Sequence, residues 1–231
     1  MSDWMIWKKG PETLPFGKRF DLHVRGVALL AVLGVGWVHL LVAYGASPKT
    51  TDVGYAPEQP VPYSHALHVG QLGLDCRYCH TSVETGAHAN VPPTQTCMNC
   101  HSKVLTGAPK LEPVRESFRT GKSIPWVRVH DLPDYAFFDH SAHVTRGIGC
   151  VSCHGRVDTM EVVSQVQPLS MAWCLDCHRN PEKHLRPPAE ATNMRWAPPE
   201  GDTPEARHAF GKRFKADNHI NPPTDCSTCH R

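Results

Sequence analysis

A mainly irregular chain with short α-helices, carried on a single N-terminal membrane-crossing helix, is the fold that three observations predict. An uncharged run of spanning length lies near the N-terminus. The 10 cysteines fall into closely spaced pairs, each with a histidine directly behind it. The rest holds 21 prolines and no long helical or strand period.

Composition narrows the possibilities before any motif is read. With Lys+Arg 24 against Asp+Glu 22, the net charge of +2 supplies no field strong enough for nucleic acid or a polyanionic substrate. A hydrophobic content of 40%, with 8% aromatic, is thin for a 231-residue chain that buries an ordinary apolar core. Something besides side chains is expected to fill the interior.

From Gly26 to Pro48 no residue is charged, and these 23 positions span roughly 35 Å as a helix, enough for a hydrocarbon core of about 30 Å. The transmembrane helix is therefore assigned to residues 26–47. Residues 1–25 carry Lys8, Lys9, Lys18, Arg19 and Arg25 against Asp3, Glu12 and Asp21, while only Lys49 follows the span closely. The positive-inside rule puts this segment in the cytoplasm and the remainder on the periplasmic or extracytoplasmic side of the inner membrane. A cleaved signal peptide ending near Ala43-Tyr44-Gly45 is the competing reading, but the apolar run is longer than a usual signal core. His39 within the span suits an interhelical hydrogen bond better than a quinone site, which one span cannot house alone. Gly34 and Gly36 permit close approach of a neighbouring helix.

Residues 48–62, rich in Pro, Gly and Thr, read as a tether. Beyond it the cysteines pair as Cys76/Cys79, Cys97/Cys100, Cys150/Cys153, Cys174/Cys177 and Cys226/Cys229, followed by His80, His101, His154, His178 and His230. Each reads C-x-x-C-H, the covalent attachment pattern of a c-type haem: two thioethers fix the porphyrin and the next residue brings a proximal imidazole to the iron. C-x-x-C alone also serves zinc, iron–sulfur or redox dithiols. With 16 His in the chain, chance placement of His behind all five pairs is on the order of 10⁻⁶. Five covalently bound haems c are expected in residues 63–231, and their faces would supply much of the buried apolar surface.

The motifs sit in a repeat. Tyr63-Ser-His65-Ala-Leu-His68 precedes the first two, and Phe138-Asp-His140-Ser-Ala-His143 precedes the third and fourth. Second His to first Cys is 8 residues and 7, and the paired motifs lie 21 and 24 apart. This is a duplicated two-site unit, about 63–101 and 138–178, with a C-terminal half unit at 219–231. The paired histidines share one helix face at i, i+3, so His65, His68, His140 and His143 are candidate distal iron ligands, each pair serving two haems. For the fifth iron the candidates are His130, Met171, Met160 and His219; a methionine there would raise the potential relative to bis-histidine ligation. His88, His184 and His208 read as surface histidines. Mainly bis-histidine, low-spin sites are expected.

The stretch 63–80, with Tyr63-Ser-His-Ala-Leu-His68 and Cys76-Arg-Tyr-Cys-His80, the stretch 126–143 from Trp126-Val-Arg-Val-His130, the stretch 149–158, and the ending Asp225-Cys-Ser-Thr-Cys-His-Arg231 carry a resemblance. They look like the membrane-anchored pentahaem cytochrome c subunit of alternative complex III, over nearly all of the chain beyond the anchor. The paired-His repeat by itself resembles class III multihaem cytochromes. The first resemblance implies a quinol:electron acceptor oxidoreductase, with integral membrane quinol-oxidising subunits and an iron–sulfur subunit as partners. Electrons would leave toward a monohaem cytochrome c, another carrier or a terminal oxidase. An electron conduit without substrate chemistry of its own is thus the leading expectation. A multihaem reductase with one open haem and a stand-alone membrane-anchored quinol dehydrogenase are the alternatives.

Overall fold

In the computed structural model the described residues are 17–231, and they divide after Thr50 into two compact units. Lys8, Lys9, Asp3 and Glu12, used above for orientation, lie outside the described residues.

The first unit is helix α1, Lys18–Gly45. Among the described residues it is the one helix long and apolar enough to cross a membrane, with mean hydropathy 2.2 over the window within Arg19–Gly45. It begins eight residues before the apolar run, because a helix needs no apolar face to continue into water. Arg25 and Asp21, one turn apart, close a 2.9 Å ion pair there. Its apolar side chains are exposed along its length.

The second unit contains no β-strand among the described residues, only an isolated bridge between Ile148 and Leu185. A π-helical turn at Ala66–Gln71 carries the first histidine pair at its start. It packs on residues 157–159 so closely that a Cβ at Gly70 would collide with the Asp158 carbonyl. Then come α2 (Cys76–Cys79), α3 (Thr94–His101), α4 (Glu112–Thr120), α5 (His140–Val144), α6 (Val151–His154), α7 (Met171–Arg179), α8 (Pro204–Asp217) and α9 (Cys226–Cys229).

The Pro-, Arg- and Lys-rich stretches 102–134 and 185–225 show no long helical or strand period in the sequence, which predicts irregular loops, yet they contain α4 and α8. α8 stands on features that apolar periodicity does not register, and α4, which buries Val114 on an amphipathic face, is only nine residues long. In α4, Arg115 pairs with Glu112 and Arg119 with Glu116, at 2.7 Å for the latter, and Gly121 stops the helix at φ 72°. In α8, Thr203 caps Ala206 N–H at 3.1 Å and Pro204 takes the first turn. Its Gly211 lets the Glu182 backbone approach, and Lys215 reaches the Glu182 carboxylate at 2.8 Å.

Side chains bury little by themselves. Val61, Leu111 and Val114 form one small cluster, and Val83, Val144 and Ala191 another. Neither is a core on the scale a chain of this length normally builds.

Candidate haem-binding sites

All five C-x-x-C-H motifs start or occupy short helices, which put the two cysteines of each on one face one turn apart. Local capping shapes them. Asp75 accepts from Arg77 N–H at 2.8 Å to open α2, Asp225 accepts from Thr228 N–H at 3.1 Å to open α9, and Ser170 opens α7. None of the ten cysteines is in a disulfide, and all are half-buried except for exposed Cys100 and Cys226.

The histidines are oriented in a common way. The Nδ1 atom of His80 donates to Asn90 O at 2.6 Å, His101 to Val104 O at 3.1 Å, His178 to Pro223 O at 2.6 Å and His230 to Tyr135 O at 3.1 Å. Of the paired histidines, His68 bonds Ser64 O at 2.8 Å, His143 bonds Asp139 O at 2.7 Å and His140 bonds Ala87 O at 2.8 Å. A carbonyl can only accept, so Nδ1 carries the proton and the Nε2 lone pair is left for a metal.

Spacing adds to orientation. An imidazole nitrogen binds a transition metal at about 2 Å with its ring centre about 1 Å behind, so two rings across one ion stand about 6 Å apart. Ring centres lie 6.2 Å apart for His68 and His101, 6.0 Å for His143 and His178, and 6.4 Å for His140 and His154, the last pair nearly parallel at 13°. His65 lies within electrostatic reach of His80. Aromatic rings buttress each pair: Tyr63 stacks on His68 at 4.3 Å and Phe138 on His143 at 4.5 Å.

The remaining candidates are placed differently. His130 stands 4.4 Å from His154 at 73°, beside that ring and too near to face it across an ion. Met171 is exposed on α7, one turn before Cys174, whose thiol is within electrostatic reach of Cys229. Met160 accepts a long contact from Ser164 Oγ at 3.9 Å, and its carbonyl accepts from Ala66 N–H. His219 sits exposed at the end of α8 with φ 51°. The ring facing His230 is Tyr135, 5.8 Å away. His184, read as a surface residue, is largely covered, and burial pushes its imidazole below the ordinary range.

Burial tunes these groups toward ligand-ready forms. Desolvation, followed by the neighbouring imidazoles His130, His140, His80 and His65, lowers His154 to about 3. Desolvation and then His80 and His68 lower His65 to about 4. Both rings are therefore neutral at physiological pH. The Cys153 thiol is pushed up to about 12, chiefly by burial, and the neighbouring Cys150, followed by burial, holds the Cys76 thiol high.

Orphaned polar atoms test whether haem fits this donor set. His130 Nε2 is buried without a partner, which a metal or water ligand would satisfy. Arg186 is 3% exposed, its Nε is unpartnered, and Nη1 reaches only the Asn193 carbonyl at 2.9 Å. No described carboxylate pairs with this buried cation, and burial lowers its pKa. It lies against Gly149, where a Cβ would strike the guanidinium, so it stands next to Cys150. A haem attached at Cys150 and Cys153 brings propionate carboxylates, the kind of partner such a guanidinium lacks. The residues fit the group. Sequence reading missed Arg186 and the orienting carbonyls; the two glycines around Ile148 were the visible trace of the first, and a carbonyl leaves no trace in residue identity.

No family model matches the chain. Over 98 residues it is 40% identical to the multihaem cytochrome c subunit of menaquinone reductase from Nitratidesulfovibrio vulgaris. That similarity covers 42% of this chain and 46% of the relative, so the chain matches about half of the relative's length.

Proposed function

We propose that this chain is an electron-transfer subunit of a quinone-linked membrane complex, holding five haems c and performing no substrate chemistry of its own. One observation carries the reading: imidazole pairs stand about 6 Å apart, oriented by Nδ1–H bonds to carbonyls, beside C-x-x-C-H motifs. When bound, haem c supplies a one-electron couple. The cysteines would tether it, the histidine behind each pair would supply one ring nitrogen to its iron, and His65, His68, His140 and His143 would supply a second nitrogen to four of the five. Nitrogen donors on both sides would leave those four coordination spheres no position for a substrate, and for the fifth iron His130, Met171, Met160 and His219 stay the candidates. Domain boundaries follow: cytoplasmic residues 1–25, membrane helix 26–47, tether 48–62 and a haem domain outside the cytoplasm.

The finer reading, from the resemblance to alternative complex III, has electrons arriving from quinol through an iron–sulfur subunit and leaving to a monohaem cytochrome c or similar carrier. A second reading, delivery of electrons to quinone, is favoured by the relative, whose name is that of a menaquinone reductase. Redox titration of the purified complex with carbon monoxide difference spectra tests the common part. Five low-spin centres that bind no carbon monoxide support the conduit, and a high-spin, carbon monoxide-binding centre overturns it in favour of a reductase. Anaerobic mixing with menaquinol then separates the two directions: rapid haem reduction supports quinol oxidation, and haem-driven menaquinone reduction supports the other.

A further inference from the structure

We propose that the five attachment sites form one unbranched line in the order His101, His80, His154, His178, His230, with one-electron partner proteins served at its two ends. The proposal rests on the conduit reading and deepens it. Chain order would place His101 next to His154; the contacts place His80 there instead.

Four links make the line. Between the first two motifs, Asn99 Nδ2 donates to the Tyr78 hydroxyl at 3.0 Å, and Cys79 lies within electrostatic reach of Cys97. The one turn that carries His65 and His68 serves both. Between the first and third motifs, Thr192 Oγ1 donates to the Asp75 carboxylate beside Cys76 at 3.0 Å, and the neighbouring Ala191 carbonyl accepts from Cys150 N–H at 2.9 Å. Cys76 lies within electrostatic reach of Cys150, and the His80 and His65 rings within reach of His154. Between the third and fourth, α5 presents His140 to His154 and His143 to His178, and Cys153 is within reach of Cys177 and Cys174. Between the fourth and fifth, His178 Nδ1 bonds Pro223 O, three residues before Cys226, and Cys174 is within reach of Cys229.

The order has a simple origin. Two copies of a unit that meet through equivalent surfaces put the same site of each at the centre. Here the first motif of each copy faces the other, so the second motifs point outward, and the C-terminal half unit lengthens one arm. Exposure follows the same order independently. The two exposed cysteines, Cys100 and Cys226, belong to the two terminal sites, whereas all of Cys150 to His154, the middle site, is half-buried. A line shielded in the middle and open at both ends exchanges electrons with other proteins at those ends. Each transfer moves one electron, oxidising one site and reducing its neighbour, with a one-electron carrier as reductant at one end and another as oxidant at the other.

Cryo-electron microscopy of the haem-loaded full chain in its complex tests the order, since thioether connectivity identifies every iron. The iron on His80 is expected to have those on His101 and His154 as its two nearest neighbours, and the iron on His101 to have a single near neighbour. An iron on His101 lying between those on His80 and His154, or a branch at any site, overturns the proposal. Intact-protein mass gives the haem count separately. Fewer than five haems strikes the conduit reading, and five haems in another order strikes this inference alone.

Discussion

The two repeat units set an aromatic ring against their paired histidines in the same way. In one, Tyr63 meets His65 edge-on at 4.8 Å and 83° and stacks on His68 at 21°; in the other, Phe138 meets His140 at 4.8 Å and 87° and stacks on His143 at 26°. In each, the second histidine bonds the carbonyl four residues before it. They differ at the first histidine. His140 bonds Ala87 O, a carbonyl from the other unit, while the buried Nδ1 of His65 has no partner. The stacked aromatic and its histidine are therefore local and duplicated, whereas the orientation of the first histidine depends on how the units dock, and docking served only one copy.

The largest effects should come from the duplicated part and be equal in the two units. His68→Ala and His143→Ala are each expected to open one iron and create one carbon monoxide-binding, high-spin centre per chain. Unequal outcomes, or unchanged ligand-field spectra in either variant, would separate units that the geometry makes equivalent. Arg186 has no counterpart in this symmetry and breaks it next to the third motif. Replacing it by Leu removes a positive charge several Å from one site. At an effective dielectric near 20 such a charge acts by about 1–2 kcal/mol, so one midpoint potential should fall by tens of millivolts. Arg186→Lys should keep most of that potential, which a purely packing role would not do. Potentiometric titration reads both.

Acid should act next, and on the centre where the units meet. His154 and His65 have folded-state values of about 3 and 4, below the ordinary imidazole value near 6.5. Between those values and 6.5 the unfolded chain binds more protons than the folded one, so stability is complete above about 6.5 and is lost as pH falls. Metal ligation of the same nitrogens acts in the same direction. The denaturant midpoint of the holoprotein, followed by the Soret band, should drop between pH 7 and pH 5; a midpoint constant over that range would remove these buried rings as its cause.

Much of this was legible in residue order. The ten cysteines, the following histidines and the Tyr63/Phe138 repeat announce themselves because each demands a particular residue type at a fixed spacing. α1 was legible from an uncharged run, although its start was not, since Lys18 to Arg25 continue the helix by propensity and one ion pair. α4 escaped because its amphipathic face, which buries Val114, is only nine residues long, and α8 because its stability comes from a cap, an ion pair and docking against 181–184 rather than from an apolar stripe. What no sequence could display is which carbonyl meets which Nδ1, or that Cys76 would meet Cys150, because both are set by how separate segments pack.

The smallest expected effect concerns how each unit holds the carbonyl that orients its second histidine. That carbonyl belongs to Ser64 in one unit and Asp139 in the other, and both residues also cap the turn that follows. Ser64 Oγ accepts one backbone N–H, from Leu67 at 2.9 Å; Asp139 Oδ1 accepts from Ser141 N–H at 2.8 Å, Ala142 N–H at 3.3 Å and the Ser141 hydroxyl at 2.7 Å. Ser64→Ala should cost ~1 kcal/mol or less, in the ordinary range for a lost helix cap. Asp139→Ala removes more bonds and a negative charge at a helix N-terminus, so the larger fall in thermal midpoint belongs to the second unit. Low-temperature EPR adds a readout that stability does not: a loosened Asp139 carbonyl lets the His143 ring rotate, which shifts the g-values of one low-spin centre. If both variants melt alike and leave every g-value in place, the stacked Tyr63 and Phe138 rings, not the caps, hold the second histidines in position.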